Sequence, residues 1–207
     1  MKKIYFVLAA LCWLGACSTL GRGTGTCPAE LAARPDYFAQ GQKLAAFRLS
    51  ARAHGYGLDG ILQIKKIGED AYSFTLFSAQ GGLKLAQGTT TAQGTAYSYL
   101  MKEADSAAAQ AKADVFLKVL LFPPHGAHRC RQSGEQVLVT YEDGNTWHYS
   151  YAPGAAYPHS VVYKKVLGSA RMSYDQYTPY ETGELPHLLI YQDGALEAEL
   201  ALLTLKK

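Results

Sequence analysis

Residues 104–124 read ADSAAAQAKADVFLKVLLFPP, the longest stretch of the chain in which apolar residues recur at helical spacing. Ala104, Ala108, Ala111, Val115, Val119 and Phe122 fall three or four residues apart and mark one helix face. Asp105 and Ser106 are candidate N-caps. From Val115 the face becomes a full circumference, because Val115, Phe116, Leu117, Val119, Leu120, Leu121 and Phe122 are interrupted only by Lys118. A helix apolar on every side must be buried. Pro123-Pro124 ends it, since proline lacks the N–H that the next turn needs.

On both sides the period changes from 3.6 to two. In Phe47–His54, Phe47, Leu49, Ala51 and Ala53 alternate with Arg48, Ser50, Arg52 and His54, the pattern of a strand with one wet face. Leu58, Gly60, Leu62 and Ile64 continue it up to the turn Gly68-Glu69-Asp70. Tyr72, Phe74 and Leu76 form the next inward set, Ala79-Gln80-Gly81-Gly82 turns the chain into Leu83–Thr89, and a fifth strand lies within Thr95–Leu100. Beyond the helix, Val137–Tyr141 and Thr146–Tyr151 flank Asp143-Gly144-Asn145, a hairpin signal. Val161–Val166, Ala170–Tyr174 and Leu188–Tyr191 follow. In Leu196–Leu205, Glu197, Ala198, Glu199 and Leu200 favour helix, but the Asp193-Gly194 turn before them favours a strand. A short helical segment is expected between Pro28 and Leu44.

The first residues have a separate meaning. Lys2 and Lys3 precede the apolar run Ile4–Leu14. As a helix that run rises about 16 Å, roughly half of a membrane's hydrocarbon thickness. Residues 1–16 are therefore predicted to be a secretory signal peptide and not a span. Leu14-Gly15-Ala16-Cys17 resembles the lipobox of bacterial lipoproteins, which implies lipidation of Cys17; the alternative is an ordinary signal peptide with an incidental cysteine. Ser18 resembles the residues that permit transport to the outer membrane. Residues 17–26 read as the lipidated cysteine and a flexible tether, and 27–207 as one domain. Of 20 lysines and arginines, two leave with the leader, so 18 face 17 acidic residues. Such a balance offers no electrostatic footprint for nucleic acid. Cys27 and Cys130 then remain in an oxidising compartment. A bridge between them is expected to contribute about 2–4 kcal/mol.

Strands, a buried helix in the middle, more strands and a lipid anchor together resemble the LolA/LolB-like family of envelope lipoprotein carriers and receptors. The local matches are Leu185-Pro186, Leu188, Ile190, Asp193-Gly194, Leu196, Leu200 and Leu202, together with the hairpin Tyr72–Leu85. The resemblance covers roughly Phe47 to Leu205. It implies a mainly β fold with helices (α+β), an incomplete antiparallel β-barrel closed by a buried helix whose apolar interior holds acyl chains. The ligand-cavity candidates are then Phe74, Leu76, Val115, Phe116, Leu117, Val119, Leu120, Trp147 and Tyr149. The family's hairpin carries a protruding apolar residue that touches the membrane, and Leu83 is the candidate here. This chain departs from the family in two places: the turn Ala79-Gln80-Gly81-Gly82 holds no apolar side chain larger than alanine, and the helical region is shorter than a two-helix plug.

His125, His128 and Cys130 have metal-ligand character and close spacing, but no fourth ligand lies nearby in sequence; the alternative is a surface loop whose cysteine is bridged. His54, His148, His159 and His187 are scattered, and no hydrolase, metalloprotease or phosphate-loop motif is present. Trp147, Tyr149 and Tyr151 share a strand face, with Tyr157, Tyr174, Tyr177 and Tyr180 beyond, and such rows either stack on sugars or fill interiors. The expectation is a monomeric lipoprotein anchored in the outer membrane and facing the periplasm. It has no enzymatic role, cofactor, metal or nucleic-acid partner, and it binds or transfers acyl chains of lipids or lipoproteins. The alternative is an envelope-accessory or glycan-binding lipoprotein with a packed, ligand-free barrel.

Overall fold

The computed structural model describes Leu31 and residues 35–38, 41–102, 105–124, 128–142, 144–180 and 183–207. The first five strands are β1 (Leu44–Ala53), β2 (Tyr56–Gly68), β3 (Ala71–Ser78), β4 (Lys84–Thr91) and β5 (Gly94–Leu100). Helix α1 (Ala107–Leu121) follows. Then come β6 (His128–Ser133), β7 (Gln136–Glu142), β8 (Thr146–Tyr151), β9 (Ser160–Lys164), β10 (Ser169–Tyr180), β11 (Gly183–Asp193) and β12 (Leu196–Lys206).

All twelve belong to one sheet in the order β5-β4-β3-β2-β1-β12-β11-β10-β9-β8-β7-β6. The first and last strands pair antiparallel at its centre, from Leu44 opposite Lys206 to Arg52 opposite Glu197. The edges β5 and β6 are consecutive in the chain and do not pair, so the barrel is incomplete and α1 is the segment that passes between them.

Registers fix which turns share an end. Ala53 pairs with Tyr56, Phe77 with Lys84, Glu142 with Thr146, Lys164 with Ser169, and Asp193 with Leu196. Because the sheet is antiparallel throughout, these five hairpins lie at one end, here the mouth end. The β2–β3, β4–β5, β6–β7 and β10–β11 turns lie at the far end.

Side-chain alternation explains the core. Phe47 and Leu49 of β1, Leu62 and Ile64 of β2, and Tyr72 and Phe74 of β3 are buried on one face, while Arg48, Gln63 and Lys65 face water. Two strand glycines mark close approaches. A side chain at Gly60 would strike the Phe77 carbonyl, and one at Gly88 the Ala96 carbonyl and, at 3.0 Å, the Phe74 ring.

Helix α1 starts where Ser106 accepts a hydrogen bond from the Ala109 amide at 3.2 Å, so the serine is the N-cap. Its first turns are solvent-exposed, and Leu117, Val119, Leu120 and Leu121 are buried. The apolar circumference is thus confined to the last turns. Lys118 escapes burial by lying over the Tyr163 ring, 5.6 Å from its centroid.

The structure corrects the sequence reading in several places, among them the strand read as Val161–Val166, which ends at Lys164 and leaves Val166 in the turn before β10. β1 begins at Leu44, not Phe47. Of the segment expected to be helical before it, much lies outside the described residues, and Tyr37 and Phe38 form a turn held by the Asp36 carboxylate on the Phe38 amide at 2.8 Å. Both rings enter the core, Tyr37 against Phe47 at 5.2 Å and Phe38 against Tyr72 at 5.0 Å. Finally, His128–Ser133 is an edge strand rather than a loop.

Candidate functional site

The two halves of the interior are filled differently, and the sequence of α1 is the cause. Along β8, Trp147, Tyr149 and Tyr151 are completely buried, and Val139, Val161, Met172 and Tyr163 pack around them. Trp147 meets Tyr163 at 4.5 Å and Tyr149 meets Tyr141 at 5.7 Å. The thick end of the helix, Val119 to Phe122, is buried in the apolar cluster that joins both sides, with Phe122 edge-on to Tyr72 of β3 at 5.5 Å. Toward its N-terminus the helix is thin, because Ala109 and Ala113 stand one turn apart where bulky residues would fill the space.

Beneath that alanine face lies a cavity of about 290 Å³. Its walls are Leu49, Ala51 and Ala53 of β1, Leu58 and Leu62 of β2, Phe74 and Leu76 of β3, Ala86 of β4 and Tyr97 and Leu100 of β5. Tyr191, Leu196 and Ala198 close the opposite side, with Phe116 and Leu117 on the helix. Phe116 stands edge-on to Tyr191 at 5.1 Å and Phe74 edge-on to Tyr97 at 5.8 Å. A dry cavity of about 150 Å³ lined by Leu, Ile and Phe takes one benzene, so this one holds on the order of a dozen carbon atoms.

Polar groups are kept to its rim. Tyr97 directs its hydroxyl to the Asp114 carboxylate at 3.3 Å, and Tyr191 directs its own to Asp193 at 3.5 Å. Burial, reinforced by the neighbouring carboxylate, raises both phenols above their ordinary range, so they stay neutral donors. Lys112 of α1 donates to the Asp193 carbonyl at 2.9 Å and pairs with its carboxylate at 3.3 Å. Lys165 donates to both carboxylate oxygens of Asp193, at 2.8 and 2.7 Å. Two ammonium groups therefore converge on one buried carboxylate and tie the helix to the β11–β12 and β9–β10 hairpins.

This cluster makes stability pH-dependent. Burial alone would raise the Asp193 carboxyl; the hydrogen bonds and charge of Lys165, and then those of Lys112, more than offset it, so it lies below its ordinary 3.8. A depressed carboxyl contributes stability that is present above its unfolded value and lost as pH falls through the folded one. Urea unfolding should show Asp193→Asn less stable than wild type at neutral pH, with the gap closing below about 3.8. A gap that persists undiminished in acid would assign the loss to packing and not to charge.

The sequence-derived candidates separate in space. Phe74, Leu76, Phe116 and Leu117 line the cavity. Val119, Leu120, Trp147 and Tyr149 are buried in the core away from it, and Val115 packs against that core half-buried. Because Trp147, Tyr149 and Tyr151 point inward, that row presents no face to solvent. Leu83 is 69% exposed between β3 and β4. Cys130 is buried and disulfide-bonded, so its sulfur is not a thiolate ligand for a metal; Cys17, Cys27 and His125 lie outside the described residues. Sequence reasoning missed Ala109, Ala113 and the pair Lys112–Asp193. The alanine run was the available signal for the first two, and nothing local announces a pair 81 residues apart.

No protein-family profile and no curated protein matches the sequence. Solved structures do. A LolA superfamily protein from Nitrosomonas europaea superposes with a TM-score of 0.54 at 10% identity, over 82% of this chain and 87% of the other. The fold is LolA-like. A structure from Vibrio parahaemolyticus, described as an outer-membrane lipoprotein-sorting protein domain, gives a TM-score of 0.47 at 10% identity over 84% and 87%. A DUF1329 family protein from Desulfovibrio piger gives 0.44 at 6% over 80% and 85%. At such identities the likeness concerns the course of the chain. In this LolA-like sheet, as expected from the sequence, the barrel is incomplete and a helix occupies its opening.

Proposed function

We propose that this chain is a lipoprotein of the outer membrane, anchored through Cys17 and facing the periplasm, that binds an acyl chain between α1 and strands β1–β5, β11 and β12. Binding, not catalysis, is the activity, and a monomer suffices for it. The observation that carries the reading is the apolar cavity under the alanine face of α1. Its volume is at the lower edge of the roughly 300–1,000 Å³ of small-molecule sites. The wall hydroxyls of Tyr97 and Tyr191 are engaged by Asp114 and Asp193, and the Lys112 charge stands at the rim. That arrangement suits a hydrocarbon chain inside and a head group outside. Leu83, exposed at a hairpin of the same end, is the proposed contact with the membrane. The remaining bridge is assigned to Cys27 and Cys130.

The test is binding of a fluorescent fatty acid by the purified chain, with mass spectrometry of whatever lipid co-purifies. Saturable binding competed by unlabelled fatty acid is the expected result; absence of both binding and co-purified lipid removes the reading. For the anchor, Cys17→Ala should leave the precursor unprocessed and unlabelled by radioactive palmitate. Processing and membrane retention as in wild type would remove that assignment.

A further inference from the structure

We infer that the mouth end of the sheet docks on a phospholipid leaflet through three hairpin tips, of which Val166–Leu167 is the one not anticipated from the sequence. The inference deepens the acyl-chain reading and rests on it for its purpose, but its evidence is separate. Val166 is fully exposed and Leu167 is 88% exposed, side by side in the β9–β10 turn. The turn itself requires only Gly168, at φ +82°. Adjacent aliphatic side chains held entirely in water have no packing role in this fold, and exposed apolar surface of this kind marks an interaction site.

Two further tips repeat the pattern. Leu83 is exposed in the β3–β4 turn and Tyr56, at 83%, beside the β1–β2 turn. Registers place all three at one end, and the sheet order gives their arrangement: Leu83 and Tyr56 on one side of the β11–β12 turn, Val166–Leu167 on the other. The cavity is walled at that end by Ala53, Leu58, Leu196 and Lys112, so the apolar tips flank its mouth.

Charge distinguishes a leaflet from other apolar partners. Lys84 follows Leu83, and Lys164 and Lys165 precede Val166. A lysine beside an apolar tip lays its stem along the hydrocarbon boundary and its ammonium among anionic head groups. Lys165 is held by Asp193, whereas Lys164 is exposed. Acidic groups at this end are Asp59, Glu142 and Glu197, exposed in strands, and Asp193, held by Lys112 and Lys165; the β7–β8 turn beside Glu142 is not one of the apolar tips. The far end has the opposite character. Its turns carry Glu69-Asp70, Ala92-Gln93, Gly134-Glu135 and the β8–β9 connection 152–159, whose Tyr157 is half-buried, and the large apolar residues exposed toward that end among the described ones, Ile67, Tyr180 and Leu203, belong to strands. A lipid anchor on Cys17 permits this orientation. With Cys27 bridged to Cys130, the ten residues from Cys17 to Cys27 reach about 35 Å. Cys130 pairs with Val139, three residues or about 10 Å short of Glu142 at the mouth end.

The test uses the full lipidated chain reconstituted in vesicles of phosphatidylethanolamine and phosphatidylglycerol. An environment-sensitive thiol label is placed singly by Leu167→Cys, Leu83→Cys or Glu135→Cys. Labels at 167 and 83 should shift to the blue and lose emission several-fold to brominated lipid, while the label at 135 stays water-like. A label at 167 indistinguishable from that at 135 overturns the proposal. A blue shift at 167 that grows with protein concentration and ignores brominated lipid assigns the tip to a second copy and overturns it as well. Fatty-acid probe binding on the same samples separates the two readings. Probe binding with 167 in water leaves the acyl-chain reading without the docking surface. Quenching at 167 without probe binding keeps the surface and removes the acyl-chain reading.

Discussion

Trp147→Ala should lower the free energy of unfolding by about 3–5 kcal/mol, the usual cost of truncating a fully buried aromatic side chain. The indole has no solvent-accessible surface, sits between Tyr141 and Tyr163 in register, and is not among the residues that line the cavity. A domain stable by about 5–15 kcal/mol would lose about a fifth of its margin or more. For a chain of this size the midpoint of thermal unfolding should fall by roughly 6–20 °C. Urea titration checks the figure directly. Binding of an apolar probe should survive wherever the variant is still folded, because β8 does not reach the cavity wall. A loss below about 1 kcal/mol would show that the surroundings collapse onto the gap and that this half is not tightly packed.

Ala113→Trp should weaken probe binding by about a hundredfold or more while costing far less stability. Ala113 lines the cavity from the helix side, and an indole there occupies space that a ligand would use. Displacing about four methylenes at ~0.8 kcal/mol each forfeits ~3 kcal/mol of binding, which is two orders of magnitude in Kd. Overpacking itself costs about 1–3 kcal/mol where the fit is poor and less where a void receives the ring. Ala108→Trp is the control, since Ala108 lies on the exposed face of the same helix and its variant should bind as wild type does. Unchanged binding by Ala113→Trp would mean that the ligand sits elsewhere.

Much of the architecture is legible in the sequence wherever one face of an element is wet. The alternation Phe47, Leu49, Ala51 against Arg48, Ser50, Arg52 is the imprint of a sheet with water on one side, and β1 follows it. The Asp193-Gly194 turn outweighed the helix-favouring Glu197–Leu200, and the segment is a strand, because pairing with β1 and β11 on both flanks overrides local propensity. β6 was not legible for the converse reason. On an edge only Cys130 of His128–Ser133 is buried, so no period is written there; Gly134, at φ +62°, was the surviving turn signal. β10 runs past the Ala170–Tyr174 read from sequence because it accommodates Gln176 at φ +53° and carries Pro179, both of which look like breaks in a lone strand. The site was half legible. Apolarity locates the interior, but a void is where side chains are missing, and Ala109 and Ala113 look like ordinary helix formers until the opposing strands are in place.

Because the first and last strands meet at the centre of the sheet, the order of assembly is constrained. β1 waits for β12, about 150 residues later, and a contact of such separation forms late. Two meanders, β1–β5 and β6–β12, can each form from neighbouring hairpins, but neither meander encloses the interior until the final strand joins them. A chain that still lacks β12 therefore has no means of closing its sheet. The same layout reverses the usual tolerance of a domain for trimming. Loss of β12 would not shave an edge; it would split the sheet down its middle and leave β1 and β11 each with one long open edge. A ragged carboxyl end should thus be read by the cell's proteases as an unfolded protein.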